Sequence, residues 1–294
     1  MSDISQQHPE TPIIIIERDD EQQVVVAPRR RVWLRRAVWA VCIVATVLLS
    51  LAAVGVWNYY FNIGVPIAVS PTENIEKLKS PAKNEAAEVV MTSDSILGVA
   101  LDFYAIHGLR ASIEFQEPDT ADRSVYLYCR SADHTADGKY LGSLVADGKE
   151  LQTDRTRLGY MAMTKDNMVI GISRSDKVKG YIMEQGGSFF RQFVLVSNGV
   201  IPSRFYLHGK VERRAIGRMD DTLYYITTRH KETLWGFADA LREYGFVDAI
   251  YITGGTDYNF YRSLDGQKHD IGSVEDYPHK KWVNVIPWLV FRKK

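Results

Sequence analysis

Residues 233–257 read TLWGFADALREYGFVDAIYITGGTD, and this stretch decides the class of the fold. Its first half has apolar residues at helical spacing, which predicts a helix over residues 234–244 with one apolar face. Thr233 is placed to cap the first turn of that helix, and Gly245 to end it in a left-handed conformation. Residues 247–252 then predict a strand that runs into a Gly-Gly turn. A helix, a strand and a glycine-rich turn in this order usually place a site at the C-terminal end of the strand.

The surrounding sequence has the turn signals of antiparallel strands. Asp-Gly or Asn-Gly pairs between apolar runs favour tight hairpin turns, because their residues readily adopt positive φ. Such pairs occur at residues 147–148, 198–199 and 265–266, and a Lys-Asp-Asn turn occurs at 165–167. We therefore predict an α+β fold with a large, mostly antiparallel or mixed sheet and few helices, preceded by one transmembrane helix.

Two further apolar segments complete the predicted domain. Residues 95–107 (SILGVALDFYAIH) follow a Thr-Ser-Asp sequence and favour a helix over a strand. Residues 282–291 form the last apolar run. Pro287 within this run predicts an edge strand or a bulge, because proline cannot donate a ladder hydrogen bond.

One apolar segment near the N-terminus predicts a membrane span. Residues 37–57 contain no charged residue, and at ~1.5 Å per residue they form a helix about as long as the hydrocarbon core is thick. Five arginines lie within residues 29–36, just before this segment. The positive-inside rule therefore predicts a single-pass membrane protein with a cytoplasmic N-terminus and an extracytoplasmic C-terminal domain. A cleaved signal peptide is the alternative, although its apolar region is usually only ~7–15 residues long.

The span divides the chain into four predicted regions. Residues 1–36 are mostly polar and predict a disordered cytoplasmic tail, whose two β-branched runs are possible partner contacts. Residues 37–57 form the transmembrane helix, which makes the lipid bilayer a partner. Residues 58–93 contain three prolines and many Lys and Glu residues, as expected of a stem. Residues 94–294 form the extracytoplasmic domain.

Charge and cysteine content exclude several classes of protein. The 36 basic residues balance the 36 acidic ones, so nothing favours nucleic acid as a partner. Two cysteines, Cys42 and Cys129, are too few for a disulfide framework. The histidines have no metal-binding spacing, so we expect no metal site and no cofactor.

Three blocks of sequence, in order, resemble the phosphodiester glycosidase family. Residues 189–200 (FFRQFVLVSNGV) resemble a strand and turn of that family. Residues 213–226 contain RRAIG and DDTLYYI, and they resemble its block of Arg, small residue, apolar residue and Gly before a strand. Residues 233–257 resemble a helix that leads to its Asn-Leu-Asp-Gly-Gly-Gly-Ser pattern. Upstream, residues 128–149 occupy the place of its Asn-Gly-Gly block.

The resemblance implies an enzyme that breaks the bond between a sugar's anomeric carbon and a phosphodiester oxygen. The family includes the lysosomal N-acetylglucosamine-1-phosphodiester α-N-acetylglucosaminidase, and its substrates imply a phosphate site. Arg213 matches the family's Arg, and a guanidinium group fits two phosphate oxygens. Gly254 and Gly255 match its Gly pair, and Thr253 and Thr256 complete the predicted substrate-binding turn.

The chain departs from the family pattern at the positions of the acids. Thr253 stands where the family has Asp, and Asp257 stands where it has Ser. Because threonine supplies no carboxylate, Asp257 and Asp133 are the candidate acid/base residues. Each candidate also has a purely structural interpretation: Arg213 as an ion-pair partner, the glycines as a simple turn, Asp257 as a turn residue and Asp133 as part of a solvated loop.

Two functions therefore remain open from the sequence. The first is hydrolysis of sugar–phosphate diester bonds in envelope glycans or glycolipids. The second is that of a catalytically altered family member, which binds a glycan or a partner in the envelope without enzymatic activity. An assembly factor acting through the cytoplasmic tail is a third, weaker alternative.

Overall fold

The computed structural model describes residues 14–16, 23–25, 29–61, 70–81, 85–131, 139–154, 156–202, 205, 209–272 and 287–294. The chain divides into two compact units, Met1–Trp57 and Asn58–Lys294.

The N-terminal unit contains a short hairpin and a long helix. Strands β1 (Ile14–Ile16) and β2 (Gln23–Val25) pair antiparallel, so the two β-branched runs of the predicted tail pair with each other. The rest of residues 1–28 lies outside the described residues. Helix α1 (Arg29–Phe61) contains the apolar segment Trp33–Val56. By length and composition this segment has the properties of a membrane span, and a signal sequence near the N-terminus has the same properties.

The second unit is built mainly of strands. Its elements in chain order are α2 (Ile75–Lys79), β3 (Glu88–Ile96), β4 (Val99–His107), β5 (Leu109–Glu114), β6 (Val125–Arg130), β7 (Leu144–Ala146), β8 (Lys149–Gln152), β9 (Gly159–Met163), β10 (Met168–Ile172), α3 (Lys177–Glu184), β11 (Ser188–Gln192), β12 (Val194–Val196), β13 (Arg213–Met219), β14 (Thr222–Thr228), α4 (Leu234–Tyr244), β15 (Asp248–Gly254), β16 (Asn259–Arg262), β17 (Lys268–Ile271) and β18 (Trp288–Lys293).

These strands form three antiparallel sheets. The large sheet has the order β12-β15-β13-β14-β4-β3. A five-stranded sheet, which we call the β9 sheet, has the order β10-β9-β11-β7-β8, and the β6 sheet has the order β17-β16-β6-β18-β5. Antiparallel sheets with few helices confirm the predicted α+β class, and α1 is the single N-terminal apolar helix expected before them.

Apolar side chains from all three sheets meet in one core. Ile216 of the large sheet, Met161 of the β9 sheet and Leu127 of the β6 sheet belong to it. We call the side of each sheet that faces this core its inner face. Helix α4 covers the outer face of the large sheet, and α2 and α3 cover that of the β9 sheet.

The predicted turns have the expected backbone conformations. Asp147 and Gly148, between β7 and β8, have φ values of 49° and 73°. Asn198 and Gly199 have φ values of 50° and 72°, but they close only a single bridge, from Ser197 to Val200. The turns at 165–167 and 265–266 join the antiparallel pairs β9–β10 and β16–β17. Local turn chemistry therefore places these chain reversals correctly.

The helix and strand of the opening stretch are confirmed. The Thr233 hydroxyl oxygen accepts a hydrogen bond from the N–H of Gly236 at 3.0 Å, which caps α4. Gly245 ends the helix with a φ of 112°. Strand β15 follows and lies between β12 and β13 in the large sheet.

The prediction of a helix over residues 95–107 is wrong. This segment forms the end of β3, a tight turn and the whole of β4. Leu97 and Gly98 have φ values of 51° and 79°, which a helix does not allow. Strand β4 pairs with β14, which lies more than 100 residues later in the chain. This pairing stabilises the strand conformation, and the sequence of residues 95–107 alone does not indicate it.

The edge position predicted for the last apolar run is also wrong. Strand β18 lies in the interior of the β6 sheet, between β6 and β5. Pro287 is tolerated because it directly precedes the strand, so the ladder needs no N–H from it. The register shift of β18 against β6 lies near its other end, at Phe291 and Arg292. Residues 282–286 of the predicted run lie outside the described residues.

The folded part of the second unit begins earlier than the predicted boundary at residue 94. Residues 70–81, which we call the strap, lie in the predicted stem. The N–H of Thr72 donates to the carbonyl of Ile172 at 2.8 Å, and the Asn74 amide donates to the carbonyl of Ile170 at 2.9 Å. Leu78 is buried against the outer face of the β9 sheet. Apolar burial and backbone hydrogen bonds therefore hold the strap against β10.

Candidate functional site

The large sheet and the β6 sheet meet at the connection from β15 to β16. Strand β13 begins at Arg213, opposite Gly254 at the end of β15. Strand β6 ends at Arg130, opposite Trp288 at the start of β18. The connection between the sheets contains Asp257, so charged residues from several strand ends converge there.

The carboxyl group of Asp257 is buried, with the residue only 3% exposed. Its Oδ1 accepts a hydrogen bond from the N–H of Tyr258 at 2.9 Å and lies 3.8 Å from Nε of Arg130. Its Oδ2 has no hydrogen-bond partner among the residues that the structure describes. Burial raises the pKa of Asp257 above its usual value, and the charges of Arg214 and Arg130 offset only part of that increase. The protonated form is therefore more favourable here than for an exposed aspartate.

Arg214 reaches the same region from the inner face of β13. Its Nη1 donates to the carbonyl oxygen of Gly255 at 2.6 Å, and its Nη2 donates to Oε2 of Glu212 at 3.0 Å. Burial acts to lower the pKa of Arg214, but Tyr225, Asp257 and other neighbours raise it by more. The guanidinium group therefore remains charged although the residue is buried.

Arg130 is held over an aromatic ring. Its guanidinium carbon lies 3.6 Å from the centroid of the Trp288 ring, which is a cation–π arrangement between directly opposed residues of β6 and β18. We call Arg130, Arg214 and Asp257 the buried charge cluster. It combines two guanidinium groups with one carboxyl group of raised pKa.

Several buried polar atoms in this cluster and beside it have no hydrogen-bond partner in the described segments of the chain. They are the hydroxyl of Tyr225, both amide atoms of Asn259, Oδ2 of Asp257 and Nε of Arg214. Leaving such an atom unsatisfied costs roughly 1–3 kcal/mol, so groups of them are rare unless solvent or a ligand satisfies them. Burial raises the pKa of Tyr225, Cys129 and Asp257 add to the increase, and the charge of Arg214 opposes it.

Arg213, the arginine singled out from the sequence, points to the outer face of the large sheet. Its Nε donates to the carbonyl of Glu232 at 3.0 Å, and its Nη2 donates to the carbonyl of Gly209 at 2.8 Å. Its Nη1 donates to the Tyr251 hydroxyl at 3.2 Å. All three guanidinium nitrogens thus serve protein acceptors, and a phosphate-binding role for Arg213 stays a prediction.

The two glycines of the predicted turn have structural reasons of their own. A Cβ atom at Gly254 would overlap the hydroxyl oxygen of Tyr251. Gly255 has a φ of 85°, and its N–H donates to the carbonyl of Glu212 at 3.0 Å. Close packing and backbone conformation therefore require glycine at these positions, while the predicted contact with an anion stays a prediction.

The remaining predicted site residues are not brought together. Thr253 is buried near the end of β15, and Thr256 is exposed at the tip of the turn. Asp133 lies outside the described residues. Asp257 is linked to the glycine turn through Arg214, whereas Arg213 lies on the opposite face of β13.

Sequence reasoning missed Arg130, Arg214, Tyr225 and Asn259. A signal for Arg214 was present, because alternate residues of a strand point to opposite faces. Ile216 belongs to the core between the sheets and Ala215 to the core under α4. Arg214 therefore shares the inner face with Ile216. No comparable signal in the local sequence indicates Asn259. It stands out only in the folded structure, where its two amide atoms are buried without a hydrogen-bond partner among the described residues.

This arrangement supports acid catalysis on an anionic substrate. A buried carboxyl group with a raised pKa holds its proton to higher pH than an exposed aspartate, which suits a general acid. Guanidinium groups bind phosphate oxygens and stabilise charge that develops on them. Among the described residues, no group of three His, Cys, Asp or Glu side chains is arranged to hold a metal ion.

Comparisons with known proteins agree with this fold. The family description "phosphodiester glycosidase" matches residues 129–286. The zebrafish N-acetylglucosamine-1-phosphodiester α-N-acetylglucosaminidase catalytic domain, solved in a form auto-inhibited by its pro-peptide, has a similar fold, with a TM-score of 0.51. That alignment is 14% identical and covers 74% of this chain and 85% of the zebrafish chain.

A hypothetical protein from Synechocystis matches with a TM-score of 0.43 and 10% identity, over 72% of this chain and 64% of that one. No curated protein sequence matches the chain significantly. The family match alone spans more than half of the 294 residues and contains β13, β15 and Asp257. The chain therefore belongs to the phosphodiester glycosidase family.

Proposed function

We propose that this protein is a phosphodiester glycosidase, anchored in a membrane through residues 37–57, that hydrolyses sugar–phosphate diester bonds in envelope glycans or glycolipids. The zebrafish protein of similar fold is named for a reaction on an N-acetylglucosamine-1-phosphodiester. The observation that carries the proposal is the buried carboxyl group of Asp257, which has an oxygen without a partner among the described residues, a raised pKa and the charges of Arg214 and Arg130 acting on it. Lipid and a sugar phosphate or glycan are the proposed partners, and nucleic acid is not.

Arg214 and Arg130 are the proposed phosphate-binding residues. Both are buried beside Asp257, and a planar guanidinium group donates two hydrogen bonds to a phosphate. Arg213 is already bonded to three protein acceptors, so we assign it a positioning role behind the turn. Thr256, the exposed residue of that turn, is the member that we expect to contact the substrate.

In the proposed reaction, protonated Asp257 acts as the general acid. It gives its proton to the phosphate-ester oxygen while the bond from that oxygen to the anomeric carbon breaks. A water molecule adds to the anomeric carbon and gives its proton to a base, for which Asp133 remains the predicted residue. The products are a reducing sugar and a phosphate monoester.

The test uses the full chain in detergent and sugar 1-(4-nitrophenyl phosphate) diesters. Cleavage at the anomeric carbon releases 4-nitrophenyl phosphate, from which an added phosphatase liberates coloured nitrophenol. We expect Asp257→Asn and Arg214→Gln each to lower kcat/KM by about 100-fold, because one loses the proton donor and the other a charged contact.

The matched controls are Asp239→Asn and Arg242→Gln, an ion pair near the surface of α4 with 2.8 Å between its closest atoms. Both controls should retain the wild-type rate. Full activity in Asp257→Asn would refute the assigned role of this carboxyl group.

A non-catalytic, glycan- or partner-binding envelope protein is the second candidate function. Two observations favour it: Thr253 stands where the family has an acid, and the buried charge cluster has little contact with solvent. Binding of a sugar phosphodiester in ligand-observed NMR, with no product after prolonged incubation, would support this candidate over the enzyme.

A further inference from the structure

Tyr225 and Asn259 are buried polar residues that have no assigned role in the proposed reaction. Tyr225 lies in the centre of β14, opposite Ile216, and Asn259 begins β16. Both are fully buried, and within the described part of the chain neither the Tyr225 hydroxyl nor the two amide atoms of Asn259 has a hydrogen-bond partner. Three polar atoms are thus available on residues that the core holds in place.

Both side chains belong to the inner faces of their sheets, the side to which Arg214 also points. In β16, Phe260 packs on the outer side of the β6 sheet with Tyr128 and Trp288. Its neighbours Asn259 and Tyr261 therefore point inward, and the ring of Tyr261 contacts that of Tyr104. Tyr104 in turn lies beside Tyr225, with 5.6 Å between the ring centroids.

The register of the β6 sheet places Asn259 at the level of Cys129. Phe260 pairs with Tyr128 and Tyr261 with Leu127, so continuing this register by one residue brings Asn259 to the level of Cys129. Burial raises the pKa of the Cys129 thiol, the charge of Asp257 adds to the increase and the charge of Arg214 opposes it. Asn259 follows the proposed acid by two residues, and Tyr225 faces the same core from the large sheet.

We propose that Tyr225 and Asn259 form a subsite that binds hydroxyl groups of the sugar whose phosphodiester bond is cleaved. The chemistry of the free atoms favours this ligand. The Asn259 amide offers an acceptor oxygen and an NH2 group with two donors, and a sugar hydroxyl can both donate and accept in return. A phosphodiester oxygen only accepts hydrogen bonds, so it would leave Oδ1 of Asn259 unsatisfied. The subsite rests on the proposed function and adds the residues that select the sugar.

The experiment compares the wild type, Tyr225→Phe and Asn259→Leu on the most active sugar 1-(4-nitrophenyl phosphate) diester and on its monodeoxy analogues. Tyr225→Phe removes only a hydroxyl group, so it should fold even if Asn259→Leu does not. Ser197→Ala is the matched control, because the Ser197 hydroxyl is also buried without a partner but lies at the opposite end of β15.

We expect Tyr225→Phe to lower kcat/KM for the parent diester roughly three- to tenfold, the effect of one neutral hydrogen bond. For one monodeoxy analogue it should have no effect, because the partner hydroxyl is already missing. Its Tm should equal or exceed that of the wild type, as for Ser197→Ala, which should leave kcat/KM unchanged. Equal losses on the parent and on every analogue, or no loss on any, would overturn the subsite.

The subsite and the reaction fail in different ways. Normal hydrolysis that Tyr225→Phe does not affect refutes the subsite and leaves the enzyme. If the wild type does not turn over, ligand-observed NMR with the same diesters replaces kinetics. If the wild type then binds diesters selectively through a hydroxyl group, and Tyr225→Phe abolishes this binding, the subsite is supported and the reaction is refuted. If the wild type does not bind the diesters, both are refuted.

Discussion

Arg213 and Arg214 are neighbours in the sequence, but they serve opposite faces of β13. Arg213 donates to three acceptors on the outer side, whereas Arg214 lies beside Asp257 on the inner side. Because strand residues alternate, two chemically identical side chains acquire different roles. The family resemblance pointed to Arg213 as the phosphate-binding residue. Its contacts in the structure show that all three of its guanidinium nitrogens donate to acceptors within the protein.

Substitution by lysine should separate the two arginines. A lysine ammonium group cannot reproduce the three hydrogen bonds that the Arg213 guanidinium group donates. We therefore expect Arg213→Lys to lower the free energy of unfolding by about 1–3 kcal/mol with little change in KM. Arg214→Lys should raise KM for the sugar diester about tenfold or more, because a lysine lacks the bidentate contact to phosphate. Thermal unfolding and steady-state kinetics measure the two effects. The reverse pattern would restore Arg213 as the phosphate residue.

The pKa of Asp257 makes the stability of the protein depend on pH. Burial raises this pKa in the folded state, so the folded chain holds the proton more tightly than the unfolded chain. The resulting stabilisation is complete below the ordinary aspartate pKa of about 3.9 and is lost as pH rises through the raised value. The Tm of the wild type should therefore fall relative to that of Asp257→Asn as the pH increases from acid to neutral.

Asp265 provides a control of opposite sign. The Ser263 hydroxyl and the N–H of Gln267 donate to its carboxylate and lower its pKa. The contribution of Asp265 to stability is therefore present above the ordinary aspartate pKa, and it is lost as the pH falls through the lowered pKa of the folded state. The wild type should thus gain Tm relative to Asp265→Asn on the same titration. Parallel curves for wild type and Asp257→Asn would contradict a buried, proton-holding Asp257.

Among the elements, the strap has a role that its sequence does not suggest. Prolines and charged residues make it look like part of a stem, yet Asn167 donates to the Leu78 carbonyl at 3.3 Å, and the Tyr160 hydroxyl donates to the Thr72 carbonyl. Two apolar residues in a polar segment, Ile75 and Leu78, are too weak a signal to predict docking. Leu78 packs against the outer face of the β9 sheet, and this packing partner exists only once the sheet has formed.

Leu78→Ala should destabilise the folded unit by about 2–4 kcal/mol, because Leu78 is only 3% exposed. Leu264→Ala is the matched control, since Leu264 is 66% exposed and its truncation should change stability by less than about 0.5 kcal/mol. Denaturant unfolding of the full chain measures both changes. Equal stability of the two variants would show that the strap does not dock in solution.

For the molecule as a whole, the proposed topology puts the tail and the domain on different sides of a membrane. The arginines before Trp33–Val56 predict this orientation. In sealed right-side-out vesicles, a membrane-impermeant maleimide should label Leu264→Cys but not Ser5→Cys until the vesicles are lysed. The wild type measures background, because its Cys129 is fully buried and its Cys42 lies inside the proposed span, where a membrane-impermeant reagent does not reach.

Two results would contradict the anchor or its orientation. Labelling of Ser5→Cys before lysis would reverse the topology. Recovery of the domain in the soluble fraction, shortened by the length of the N-terminal segment, would identify that segment as a cleaved signal sequence instead of an anchor.

The sequence alone determined the features that depend on neighbours along the chain. The capped helix α4, the turns of positive φ and the apolar segment of α1 follow from local spacing and backbone preference, and the ordered blocks were enough to indicate the family. The tertiary structure decided that residues 95–107 form strands, that the strap docks, and that Arg214 accompanies Asp257. These outcomes depend on pairing and burial between segments far apart in the sequence, such as β4 with β14, whose energies exceed local propensity.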